Sequence, residues 1–121
     1  MILTLPYPPS TNGLYAAVRG RLILSARGRA YHADVLAAVA EAGLPKAPAG
    51  RLRVEVDLSP PDRRRRDIMN CEKCLTDSLV AAAVLKDDCL IDRFEITRMP
   101  PTPGGSCVVR ISKWEPPEGQ T

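Results

Sequence analysis

The chain has 121 residues, a formal net charge of +3, 12 prolines and 8 glycines. This length suits one domain rich in turns, and no run of about 18 apolar residues is present, which excludes a transmembrane helix. The N-terminus has no basic segment leading into an apolar one, so a cytoplasmic protein is expected, and the low aromatic content argues against a base-stacking platform.

In chain order, Ile2 to Leu5 suit a short strand ended by Pro6, Pro8 and Pro9, which donate no ladder hydrogen bond. Ser10-Thr11-Asn12-Gly13 has turn composition. Leu14 to Val18 and Arg21 to Leu24 read as a hairpin around Arg19-Gly20. Ser25 is a good N-cap for a helix over Ala26 to Ala42, and Gly43 is a good stop. Tyr31, Val35, Ala38 and Val39 form its apolar stripe, while Arg27, Arg29 and Asp34 should face water. His32 reads as a surface or packing residue with no catalytic role.

After a loop from Pro45 to Gly50, Leu52, Val54, Val56 and Leu58 alternate with Arg53, Glu55 and Asp57, the period of a half-buried strand. Pro60 and Pro61 end it. A helix is expected to run to about Leu85, with Cys71, Leu75, Leu79 and Ala82 facing a core. Two more strands follow, Arg93 to Arg98 and Cys107 to Ser112, separated by a Pro- and Gly-rich loop. The order β-ββ-α-β-α-β-β predicts an α+β fold: a single domain over residues 1–115, a mixed β-sheet with two helices packed on it. The polar tail over 116–121 is expected to be disordered.

The chemistry concentrates between Asp62 and Asp92. Arg63, Arg64, Arg65 and Arg66 are consecutive cations that can bind phosphate oxygens. Asp67 follows at once, and Asp87-Asp88 close the segment. Mg²⁺ is a hard ion that takes one or two carboxylates and completes its shell with water and substrate phosphate. Asn70, Lys73 and Asp77 are spaced three and four apart, on one helical face. Plainer roles fit the same residues: Asp67 as an N-cap, Lys73 and Asp77 as a surface pair, and the arginines as a solvated loop. Cys71-x-x-Cys74, Cys89 and Cys107 read as structural thiols, because no second C-x-x-C accompanies them and His32 is far away in sequence.

The run Arg63-Arg64-Arg65-Arg66-Asp67-x-x-Asn70-x-x-Lys73, followed by Asp87-Asp88, resembles the RusA family of Holliday junction resolvases. The N-terminal Leu5-Pro6-Tyr7-Pro8-Pro9-Ser10-Thr11-Asn12, with Tyr15 soon after, resembles the family's opening segment, and the likeness runs from about Leu3 to Val109. It implies a homodimer that cuts four-way DNA junctions by paired symmetric nicks, in recombination and repair, with Mg²⁺ or Mn²⁺ and no organic cofactor. It implies that Asp67, Lys73 and Asp88 carry catalysis and that Asp67 and Asp88 hold metal. Asp87 could be a further ligand or could support one. The family pattern reads D-x-D-N-x-x-K, and its second carboxylate position is Met69 here, a thioether poorly suited to Mg²⁺. Glu72, one turn on, could reach back to fill that place or could serve only the helix dipole. A junction-binding dimer with weak or lost cleavage, a nuclease for another substrate such as flaps or RNA, and a scaffold unrelated to nucleic acid remain as alternatives.

Overall fold

The period-two alternation of Leu52, Val54, Val56 and Leu58 is realised as β4 (Leu52–Ser59), with all four side chains buried on one face. The computed structural model describes residues 1–10 and 14–116, so most of the expected tail and the Thr11–Gly13 part of the first turn lie outside the described residues. β4 is the pivot of a four-stranded mixed sheet. It runs antiparallel to β6 (Ser106–Lys113) and parallel to β5 (Ile91–Arg98), and β1 (Ile2–Leu5) lies antiparallel beyond β6. Leu3, Leu5, Cys107, Val109 and Ile111 extend the buried face of β4 across its neighbours.

Two helices cover that face, α1 (Ala26–Glu41) and α2 (Glu72–Ala81). α1 buries Tyr31, Val35 and Val39; α2 buries Cys74, Leu75 and Leu79. Cys71 and Ala82 join the same core, so the expected apolar stripe is correct along its length. The opposite face of the sheet carries charge, including Arg53–Glu95 at 3.0 Å and Arg110–Asp57 at 2.8 Å. Such half-exposed pairs keep the sheet wet on one side and add little stability. β2 (Tyr15–Val18) and β3 (Arg21–Leu24) form a separate two-stranded sheet. Arg19 and Gly20 both have positive φ, 52° and 75°, as a two-residue turn matched to strand twist requires.

The second helix departs from expectation at both ends. A 3-10 turn, Ile68–Cys71, precedes α2, and the chain leaves helical geometry after Ala81 rather than near Leu85. Ala83 takes a left-handed φ of 61°, while Val84 and Leu85 donate their N–H groups to Leu79 O. Ending the helix early lets Val84 and Leu85 turn inward, where both are buried.

Gly105 ties the β5–β6 loop to the N-terminal segment. Its φ is 72°, and a Cβ there would lie 2.9 Å from Tyr7 Cβ and 3.2 Å from Pro61 Cδ. Gly105→Ala should therefore lower stability by at least about 1–2 kcal/mol from the left-handed backbone alone. Urea unfolding checks this: the midpoint should fall at unchanged slope, and a wild-type midpoint would show that the loop gives way freely.

Candidate functional site

The four consecutive arginines are not equivalent once folded. Asp62 accepts from Arg66 Nη1 at 2.6 Å and from the Arg64 backbone N–H at 2.9 Å. These bonds, that of Arg66 first, hold the Asp62 carboxyl down at about 2. The Arg66 guanidinium also lies 5.9 Å from the centre of the Tyr7 ring, and its backbone carbonyl accepts from Arg98 Nη2 at 2.6 Å. Arg66 is thus built into the fold. Arg64 leans on Asp62 at 3.5 Å, whereas Arg63 and Arg65 make no hydrogen bond or ion pair among the described residues.

Asp67 caps the 3-10 turn: its Oδ1 accepts from Met69 N at 2.9 Å. The capping role is real, yet the side chain stays exposed and lines an open cleft of about 690 Å³. Arg65, Arg66 and Asn70 share that cleft with Tyr7, and α1 supplies Arg27 and Asp34. Met69, in the same turn, is 72% exposed and presents a thioether.

Along α2, Lys73 Nζ lies 3.3 Å from Asp77 Oδ2, and the Tyr15 hydroxyl donates to the same oxygen at 2.5 Å. The Lys73 ammonium also sits 5.6 Å from the Tyr15 ring centre. The bond to Asp77 raises the pKa of Lys73 and is the chief cause of a raised Tyr15. Lys73 therefore holds its proton through neutral pH. Glu72 does not reach back toward Asp67. Its Oε1 is 3.4 Å from the Thr76 hydroxyl, further along the helix.

A second cavity, of about 440 Å³, is lined by Tyr15, His32, Asp77, Lys86, Asp87 and Asp88. Asp87 caps the 3-10 turn Asp88–Leu90, accepting from Cys89 N at 2.9 Å, and this bond lowers its pKa. His32 Nε2 is buried without a hydrogen-bond partner among the described residues.

Topology separates the two acidic sites. Asp67 follows the end of β4 and Asp88 precedes the start of β5, and these strands are parallel neighbours. The two carboxylates therefore lie toward opposite ends of strands of eight residues, a length of about 26 Å. Bracketing one helix keeps them apart within one chain. Among the described residues no three His, Cys, Asp or Glu side chains are grouped to hold a metal ion. The free thiols Cys71, Cys74 and Cys107 are buried, and burial pushes Cys74 up to about 11 and Cys107 up to about 12.

Sequence spacing predicts Arg27 and Asp34 facing water and His32 at the surface or in packing. They reach the two cavities because α1 crosses beside α2. Tyr15 meets Asp77 across 62 residues of chain, a separation that no local pattern announces.

The family described as Endodeoxyribonuclease RusA matches this chain over residues 6–112. Proteins named crossover junction endodeoxyribonuclease RusA from Shigella sonnei (strain Ss046) and Escherichia coli (strain K12) are each 36% identical to it over 111 residues. A protein of the same name from Enterobacteria phage 82 is 35% identical over 111 residues. Each alignment covers 92% of this chain and 92% of the relative.

The Lys73–Asp77–Tyr15 contact yields a direct test. In Asp77→Asn, Lys73 loses the group that raises it and should titrate closer to ordinary lysine. NMR of ¹³C-methylated lysines through the alkaline range reads this, and an unmoved Lys73 resonance would show that Asp77 does not control it.

Proposed function

The chain belongs to the endodeoxyribonuclease RusA family, and from that membership we propose that it cuts four-way DNA junctions as a homodimer, by paired symmetric nicks dependent on Mg²⁺. The observation that carries this reading is the match over residues 6–112, which includes Arg63 to Lys73 and Asp87-Asp88. No helix of the described residues is long and apolar enough to cross a membrane, and a DNA substrate places the enzyme in the cytoplasm.

Asp67 and Asp88 are the carboxylates assigned to metal. They occupy separate cavities of one chain, so a site using both draws Asp67 from one copy and Asp88 from the other. Two-fold symmetry makes two such sites at once, as two symmetric nicks require. Exposed aspartates suit Mg²⁺ or Mn²⁺, since such an ion needs only one or two protein carboxylates beside water and phosphate. When bound, the ion lowers the pKa of water and neutralises charge on the scissile phosphate. Asp87 supports Asp88, and Asn70 lines the Asp67 cleft.

Lys73 and the arginines act through charge. Lys73 stays protonated and places a cation near the charge that builds on the departing oxygen. Arg63 and Arg65 contact backbone phosphates; such contacts set affinity and register without reading bases. Met69 favours a second reading, a dimer that binds junctions and cuts them weakly, because it leaves a carboxylate position of the family pattern empty. Nicking of a synthetic four-way junction in Mg²⁺ separates the two readings: binding without nicks would establish the second.

Mixed dimers test the shared site. Asp67→Asn and Asp88→Asn should each bind junction DNA without cutting it. Co-expressed as heterodimers, they retain one intact Asp67–Asp88 combination and should regain nicking of a single strand. Failure to regain any nicking would rule out a site shared between copies.

Salt dependence tests the arginines. Replacing Arg63 and Arg65 with alanine should flatten log affinity against log salt by about two units. Arg66→Ala should instead lower the melting temperature, since its guanidinium is held by Asp62 and Tyr7. An unaltered slope in the double variant would show that Arg63 and Arg65 face only solvent.

A further inference from the structure

Arg27 stands where the local physics of its helix disfavours it. Ser25 caps α1 by accepting from Gly28 N at 3.2 Å, so Arg27 lies in the first helical turn, which contains no acidic residue. The positive end of the helix dipole repels cations there. Arg29, close by, is compensated: its Nη1 donates to Leu24 O at 2.7 Å. Arg27 has no hydrogen bond or ion pair among the described residues. A sequence that keeps an uncompensated cation at such a position departs from local consistency, and departures of this kind mark functional positions.

The cleft supplies what the helix does not. Arg27, Ala30, Tyr31 and Asp34 are spaced three, four and seven residues along α1, and this stripe forms one wall of the cleft lined by Asp67. Arg65, Arg66 and Asn70 are also in its lining. Arg66 is partly neutralised by Asp62, which leaves Arg27 and Arg65 as the cleft cations with no ion pair among the described residues. Asp34 lies two turns, about 10 Å, from Arg27 on the same wall. The wall is therefore polar along its length. It attracts an anion at the Arg27 end and repels one at the Asp34 end.

Resting on the junction-cutting reading above, we propose that Arg27 binds a backbone phosphate of the DNA and positions the strand in the cleft beside Asp67. It acts as a positioning residue: its guanidinium fixes the register of the strand while other groups carry the chemistry. The fork-shaped donor suits two phosphate oxygens at once. Ala30, with its short side chain, lies next to it on the wall and leaves the cleft open.

Junction binding without divalent metal, titrated with salt, tests this assignment. Arg27→Ala should reduce the slope of log affinity against log salt by about one unit, on junctions of different sequence alike. Arg27→Lys should keep the slope, and Arg29→Ala should match wild type. The melting temperature of Arg27→Ala should equal or exceed that of wild type, because removing the cation relieves repulsion at the helix start. A wild-type slope in Arg27→Ala overturns the proposal, whatever its melting temperature. An equal loss of slope in Arg29→Ala also overturns it, by showing that any charge on α1 has the effect. Failure of the junction-binding premise itself would appear separately, as salt-independent or absent junction binding by the unsubstituted protein.

Discussion

Parallel pairing of β4 with β5 is the constraint on which the rest of this structure depends. A parallel connection must return the chain to the starting end of the sheet, and here α2 makes that return. The segment that leads from β4 into α2 therefore starts at one end of the sheet, and the segment that leads from α2 into β5 finishes at the other. The arginine run and Asp67 fall on the first side, Asp87 and Asp88 on the second. Leu75 and Leu79 hold the crossover down, since both are buried against the sheet. Packing of that apolar stripe thereby sets the separation of the two acidic sites.

The polar stripe of the same helix joins the two ends. Asn70 belongs to the cleft of Asp67, and Asp77 to the cavity of Asp88. Lys73 lies between them, tied to Asp77, while Tyr15 from the hairpin meets the same carboxylate oxygen. Lys73 thus carries one half-exposed ion pair on the open side of a helix whose other side is buried.

Charge in the arginine loop is divided in a comparable way. Asp62 draws Arg66 inward and accepts from the Arg64 backbone, giving the loop a fixed shape. Arg63 and Arg65 keep their guanidinium groups uncommitted among the described residues. One carboxylate thus converts a run of four like charges into an ordered turn with two available donors. α1 contributes Arg27 to the cleft that Arg65 and Arg66 line.

Much of this protein could be read from the sequence alone. The alternation in β4, the stripes of α1 and α2, the hairpin around Arg19-Gly20 and the caps at Ser25 and Asp67 are encoded by neighbours a few residues apart. So were the α+β class and the family, because Arg63 to Lys73 with Asp87-Asp88 form a dense local pattern. Only the tertiary structure decided which of those residues share a cavity. Strand direction depends on hydrogen bonds between β4 and β5, whose paired residues lie about 40 positions apart, and one dimension of sequence does not carry it. The same reason hid Tyr15 beside Asp77, His32 beside Asp88 and Arg27 beside Asp67. Local spacing determines the face of a helix on which a side chain lies; the packing of distant elements determines what that face meets.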